Sequence, residues 1–531
     1  MSVIRVYGCF DGREFPAEFA SEADAALTWY WDPEHNPEPL TPMEQAVWTD
    51  SRRGASRART ECGFDADDVF IGGAGHAYFN GFYFARPVLP SRRVRTAAAA
   101  ANRKLAAEFG SAASFWERWC EPRAEASFEE LKSGAPDAGI AGLIDVFGYG
   151  FEQTFLMFGL MQRDLRRLLS RDYGADAPRL ATELMAGRDN ATLQADQALW
   201  DLAAIARESP EVEAAVRRGA SRAELEEIAG AERLLTGLDV YLDRYGWRTL
   251  GWNVSSPSLR ERPDIALKMV RRLIEGGVEA PANASSSVAE RRRGLEAEVI
   301  EAAGADRARR SELERAIGES AEYLAIKEGR ALHQLSLTGA LRGRLLERGS
   351  SLVRRGLLAN AEDILYLTPD EADVSPAESP VRGLADLAGR RRSEREQWVG
   401  VTPPVCVGGG SAPAPGSGGS ASAESTAPLE GLAASPGRAT GTARVIRSPE
   451  DMETFAAGDI LICTTTTPAW TPLFGLAAAV VAESGDMVSH TAIAAREYGI
   501  PAVTGVPGAM TRIPDGRRVT VDGVAGVVSL D

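Results

Sequence analysis

Four histidines, His35, His76, His333 and His490, are all that 531 residues contain, so imidazole chemistry is confined to four positions. Cysteine is nearly as scarce. Cys9, Cys62, Cys120, Cys406 and Cys463 are scattered and form no C-x-x-C pair, which excludes a cysteine zinc site and a disulfide framework. A basic excess is missing too: 59 Lys and Arg face 75 Asp and Glu, a net charge of −16 that argues against nucleic acid and anionic membrane as partners. Long apolar runs are absent. The most apolar stretch, "LIDVFGYGFEQTFLMFGLM", is broken by Asp145 and Glu152, and the start "MSVIRVYGCFDGREFPAEF" lacks the apolar segment of a signal peptide. The expectation is a soluble, cytoplasmic protein that acts on a small molecule.

What is present reads as globular protein, 44% hydrophobic and 25% charged, long enough for two to four domains. The sharpest boundary is "PPVCVGGGSAPAPGSGGSASAESTAPLE", residues 403–430, whose Gly, Ser, Ala and Pro predict a flexible tether. Residues 1–402 predict a large, mainly α-helical domain. Within it, 1–95 is irregular and aromatic-rich, and "AYFNGFYF" there reads as a strand or hairpin. Residues 96–402 read as a helical bundle, with apolar residues at three- and four-residue spacing in "ELERAIGESAEYLAIKEGRALHQLSL". Residues 431–531 alternate strand-like runs ("GTARVIR", "DILICTT", "AAAVVAES", "PAVTGV") with short helices, predicting a small α/β domain.

In that small domain, "AAAVVAESGDMVSHTAIAAREYG" reads as buried strand, glycine turn and helix, with Ser489 as N-cap and Gly499 as the stop. His490 then stands in the first helical turn, where free N–H groups and the helix dipole favour a bound phosphate. The loop "CTTTTPAWTPLF" offers hydroxyls from Thr464 to Thr467. Thr465, Thr466 and Thr467 with Arg496 make the candidate phosphate-binding set. For Arg496 a surface ion pair is the plainer alternative.

Residues 431–531 resemble the phosphohistidine domain of the phosphoenolpyruvate-utilising enzymes, which include phosphoenolpyruvate synthase, pyruvate phosphate dikinase and rifampin phosphotransferase. The resemblance rests on "SPGRATGTARV", "GDILICTTTTPAWTPLF", "SHTAIAAREYGIPAVTGVPGA" and "DGRRVTVDGVAGVV". Upstream, "LTWYWDPEHNPEPLTPM", "FNGFYF" and "RYGWRTLGWNVSSPSLRERPDIALKMVRRLI" are similar to the acceptor-binding middle domain of the rifampin phosphotransferase group. The resemblance implies that His490 becomes phosphorylated, and that its domain swivels between an ATP-binding domain and the helical acceptor domain. Three departures stand out. No ATP-grasp sequence with its phosphate loop and lysine is found, so this chain alone is expected to bind no cofactor, and ATP and magnesium would come through a separate ATP-grasp subunit. Asp486 stands where the family has a second glycine. Trp247 replaces the family's middle-domain histidine, although Arg248 beside it remains.

Three readings follow. One is a phosphotransferase subunit, with His490 as carrier and Arg248 steadying a small, hydrophobic, hydroxylated metabolite. Another is an ATP-independent dehydratase or cyclase of natural-product metabolism, a lyase in which His490 exchanges a proton and Asp486 orients it, with Ser489 retained in either case. The third is a binding protein that has lost catalysis. His35 pairs with Asp32 in a proline-rich turn, either for acid/base work or to satisfy backbone groups. His76 reads as structural and His333 as a satisfied bundle histidine. Trp29, Trp31, Trp247 and Trp252 are candidates to line an apolar substrate pocket, with core packing as the plainer alternative. Asp264, Glu328 and Glu362 carry no local signal, and no residues have metal-ligand spacing.

Overall fold

Asn80 and Gly81 take φ of 51° and 85°, the left-handed pair that a two-residue hairpin turn needs. The aromatic runs on either side of them pair accordingly. The structure is a computed structural model. It describes residues 2–7, 14–19, 21–65, 75–86, 92–134, 139–156, 165–277, 280–374, 383–404, 406–408 and 428–531. Strand β1 (Ser2–Tyr7) pairs antiparallel with β2 (Glu14–Phe19). Strands β3 (Thr28–Trp31), β4 (Gly75–Phe79), β5 (Phe82–Arg86) and β6 (Cys406–Gly408) form a second antiparallel sheet in the order β4-β5-β3-β6. Within "IGGAGHAY", Gly75 to Tyr78 thus belong to a strand rather than to a phosphate loop.

Strand β6 corrects the boundary of the expected tether. Val407 is buried among Phe82, Phe84 and Trp29, so Cys406 to Gly408, at the start of the Gly/Ser-rich stretch, are sheet. At the other end, β7 (Leu429–Glu430) pairs with β14 (Val527–Leu530). Of the expected tether, Val405 and residues 409–427 lie outside the described residues, as does Cys9.

Trp29 is 5% exposed in this same core and donates from Nε1 to the Asp24 carbonyl at 3.0 Å. Trp31 packs beside it against Phe82. Trp247 lies edge-on to Phe128, under Arg260. Packing accounts for all three, correcting the expectation that they line a substrate pocket.

Most of the described chain from residue 92 to 396 is helical, including a 48-residue helix, Arg307–Arg354. That helix buries polar groups along its length: Glu328, Gln334, Thr338 and Arg342. Arg342 holds the Glu261 carboxylate at 2.9 Å and Glu362 at 2.5 Å, and Asp264 pairs with Arg262 at 2.9 Å, so all three acids have structural roles. None of the described helices is long and apolar enough to cross a membrane.

The C-terminal part is one mixed sheet. Strands β8 (Leu432–Ser435), β9 (Arg438–Val445), β10 (Ile460–Cys463), β11 (Ala479–Ala482), β12 (Ala502–Thr504) and β13 (Arg518–Asp522) complete the order β7-β14-β13-β9-β10-β11-β12-β8. The four strands β9 to β12 are parallel. The central two, "ILIC" and "AVVA", read as uninterrupted apolar runs because both faces are covered. Ile460, Ile462, Ala479 and Val481 point into the domain's own core, whereas Leu461, Cys463, Val480 and Ala482 share a core with helical-domain residues such as Leu199 and Leu238. The small domain is therefore docked on the helices by apolar burial. A fully buried aliphatic side chain contributes roughly 1.5–3 kcal/mol. Ion pairs flank the contact, Arg262 with Glu450 and Lys268 with Glu453.

Candidate active site

The turn "ESGDMVSH" aims one ring. Gly485 has φ 110°, and a Cβ there would stand 2.7 Å from Ser489 Oγ, so only glycine fits. Ser489 is the N-cap of the His490–Tyr498 helix. Its Oγ accepts from Ala492 N–H at 3.4 Å and donates to the Asp486 carbonyl at 2.9 Å. Gly499, left-handed at φ 67°, ends the helix. Gly485→Ala is expected to lower stability by about 1–3 kcal/mol, read as a reduced unfolding midpoint with the fold retained.

His490 is 9% exposed and sits in the domain interface. Its Nδ1 lies 3.0 Å from Oε2 of Glu328, on the 48-residue helix. Thr192 Oγ1 donates to the same oxygen at 3.2 Å. Burial alone would raise the Glu328 carboxyl, but the His490 ring, Lys327 and Thr192 outweigh it and hold the group below its ordinary value. An ionised Glu328 can only accept. Nδ1 therefore carries a ring proton, and in the neutral ring the lone pair is on Nε2. Nε2 is buried and has no hydrogen-bond partner among the described residues.

A cation stands in the same buried region. Arg248, 3% exposed, donates through Nε to the Tyr245 carbonyl at 3.0 Å and through Nη2 to Tyr241 Oη at 2.9 Å. Its Nη1 is buried with no partner among the described residues. Between these groups lies Asp196, whose Oδ1 accepts from Thr471 Oγ1 and whose Oδ2 accepts from Tyr498 Oη, each at 2.8 Å. Burial pushes the Asp196 carboxyl up to about 7, against the pull of Tyr498, Thr471, Arg248 and His490.

The threonine loop frames the helix start. Thr466 Oγ1 is 2.8 Å from Thr491 Oγ1, and Thr467 Oγ1 donates to the Leu250 carbonyl at 3.0 Å. Thr464, Thr465 and Thr467 line a cavity of about 280 Å³ together with His35, Trp252 and Trp470. Of the four tryptophans expected at a pocket, Trp252 alone lines it. His35 is held by Asp32, its Nδ1 3.2 Å from Oδ2. Burial opposes its charged form, yet Asp32 and Glu34 raise its pKa overall. His76 stacks on Tyr83, as a structural histidine does, and His333 pairs with Glu121.

Two expectations are corrected. Asp486 does not orient the His490 ring: its Oδ1 accepts from Val488 N–H at 2.8 Å, as an Asx turn requires, and Glu328 does the orienting. Arg496 is 5% exposed and donates to the Ala434 and Met487 carbonyls at 2.7 Å, and burial lowers its pKa to about 10. It staples β8 to the loop before His490. Lys327 supports that loop from the other side by donating to the Val488 carbonyl. Glu328 carries no local signal in the sequence, and Thr192 and Asp196 none at all, because each is an ordinary residue on an ordinary helix, far along the chain from His490.

Residues 455–526 match the mobile domain of PEP-utilising enzymes, and residues 145–328 match the fourth domain of rifampicin phosphotransferase. The first stretch contains His490, Thr471 and Tyr498; the second contains Thr192, Asp196, Arg248 and Glu328. The chain is 30% identical to chondramide synthase cmdD of Chondromyces crocatus, over 97% of its own length and 14% of that protein. It is 32% identical to a rifampicin phosphotransferase of a Streptomyces species, over 66% of its own length and 41% of that enzyme. An uncharacterized phosphotransferase, YvkC of Bacillus subtilis, is 30% identical over 66% of the chain and 43% of the relative. The chain thus spans less than half the length of these relatives, and matches to a PEP-utilising mobile domain and to a rifampicin phosphotransferase fourth domain lie together on it.

Proposed function

We propose that this chain is the carrier and acceptor part of a phosphotransferase. His490 Nε2 takes a phosphoryl group from a donor and passes it to the hydroxyl of a small hydrophobic metabolite held in the Trp252 cavity. The observation that carries this reading is the His490 ring itself, with Nδ1 engaged by ionised Glu328 and Nε2 buried and unpartnered. In the first half-reaction the N–P bond forms at Nε2 as the donor's P–O bond breaks. In the second the N–P bond breaks as the acceptor oxygen bonds phosphorus, and the hydroxyl proton passes to a base. His35, oriented by Asp32 on the cavity wall, is placed for that proton. The unpartnered Nη1 of Arg248 supplies positive charge for the phosphoryl oxygens. Thr465 and Thr467 line the acceptor cavity, and Thr466 ties its wall to the start of the His490 helix.

The described residues offer no glycine-rich phosphate loop for a nucleotide. ATP and magnesium, as donor, are assigned to protein outside these residues, a separate ATP-grasp subunit included; the greater length of the relatives supports that. A dehydratase or cyclase would use the same His490–Glu328 pair as acid and base. Two of the three relatives are named phosphotransferases, which favours transfer over elimination.

The test is the intact mass of the protein after incubation with ATP, magnesium and extract of the source cells, beside His490→Ala. An acid-labile phosphoryl adduct on the wild type alone is expected. An adduct of equal size on His490→Ala, or none under any condition while His490 is still required for product, would overturn the reading. Arg248→Gln is expected to slow transfer by about 10²-fold, measured as the rate of adduct formation.

A further inference from the structure

We propose that Glu121, Glu125 and His333 form a binding site for one divalent transition-metal ion of the zinc class, apart from the phosphoryl-transfer centre. Glu121 and Glu125 are one helical turn apart on the Glu121–Ser133 helix and therefore share a face. His333 comes from the 48-residue helix that crosses it, 212 residues away in the chain. One ligand atom from each of the three residues lies within 4.8 Å of the others. His333 Nε2 and Glu121 Oε1 are 3.2 Å apart, close to the roughly 3.4 Å that separates two ligands of a tetrahedral ion bound at about 2.1 Å. Glu125 is exposed, so a rotamer change brings its carboxylate in at little cost.

The surroundings hold the other two ligands still. Trp116 packs edge-on to His333 with centroids 5.5 Å apart. Such outer contacts fix the orientation of metal ligands. The Trp116–Cys120 segment is a π-helical turn immediately before Glu121, and its wider winding rotates Trp116 and the two glutamates relative to a straight helix. One imidazole and two carboxylates make a mixed N/O donor set. That set suits Zn²⁺, Mn²⁺ or Co²⁺ better than Mg²⁺, and half-burial leaves a coordination position for water. Bound there, the ion would cross-link the two helices five residues beyond Glu328.

The experiment uses the full chain, stripped with a chelator and titrated with Zn²⁺ by calorimetry and with Co²⁺ by visible absorption. One equivalent is expected to bind, with Co²⁺ ligand-field bands and a raised unfolding midpoint. His333→Ala and Glu125→Gln should each weaken binding by at least about tenfold, while His35→Ala leaves it unchanged. Glu125 is exposed, so Glu125→Gln keeps the metal-free fold and decides the matter even where His333→Ala does not fold. No binding, or the same stoichiometry and affinity in both variants, overturns the proposal.

Discussion

Glu328→Gln is expected to slow phosphoryl transfer through His490 by about 10²- to 10⁴-fold, with the His490 loop still in place. The carboxylate can only accept a hydrogen bond, so it keeps the ring proton on Nδ1, 3.0 Å away. An amide has no such preference. When its NH₂ faces Nδ1 it donates, the ring proton moves to Nε2, and the lone pair that must attack phosphorus is lost. The amide also removes the negative charge that balances the imidazolium-like nitrogen as N–P bonding develops. Thr192→Val leaves the carboxylate and removes one donor at 3.2 Å, and a loss of less than about tenfold is expected. Rapid-quench measurement of adduct formation, with thermal unfolding alongside, separates a positioning effect from a folding one. A Glu328→Gln protein that forms adduct at the wild-type rate would remove Glu328 from the mechanism.

The second large effect concerns release of the small domain, and it turns on Asp196. That carboxyl belongs to the helical domain, yet both of its oxygens accept from hydroxyls of the small domain, Thr471 and Tyr498. Arg248, His490 and Tyr241 are the charged and titratable neighbours that complete its surroundings. Docked, burial raises its pKa to about 7; released into water, it returns toward the ordinary 3.8. Docking therefore takes up a proton between these values. The proton-linked contribution to docking is complete below about pH 4, shrinks as pH rises, and is gone above about pH 7. Its full size is on the order of 4 kcal/mol, an upper bound set by about three pH units. Energy transfer between a label on each domain, followed from pH 5 to 8, is expected to show the docked fraction falling in the wild type. Asp196→Asn cannot ionise and should flatten that slope. Tyr498→Phe removes a donor that favours the ionised form and should carry the fall to higher pH. An Asp196→Asn protein with the wild-type slope would assign the pH response to another group.

Local rules made much of this molecule legible. Asn80–Gly81 specifies its hairpin, Ser489 and Gly499 bound their helix, and the uninterrupted apolar runs "ILIC" and "AVVA" are strands buried on both faces. These features depend on residues within a few positions of one another, where φ preferences, caps and period are decided. His490 was legible for the same reason, being one of four histidines and placed at a helix start.

Its partner was not. Glu328 stands 162 residues away on a helix full of glutamates. Which of them turns into the interface is settled by how the 48-residue helix rotates against its neighbours. Nearness in sequence points to Asp486 as the ring's partner, but a carboxylate in a tight turn satisfies its own loop's N–H groups first. The charge of Arg496 suits a phosphate, but in the docked structure it is buried and donates to the Ala434 and Met487 carbonyls. Trp29, Trp31 and Trp247 went into cores because aromatic area is stabilised by burial wherever burial is available. The sequence by itself determined the strands, the caps, the placement of His490 at a helix start and the family resemblance around it. The tertiary structure alone decided which carboxylate orients that histidine, which cation stands near it and which tryptophan faces the cavity, because those contacts join segments whose relative placement no local preference encodes.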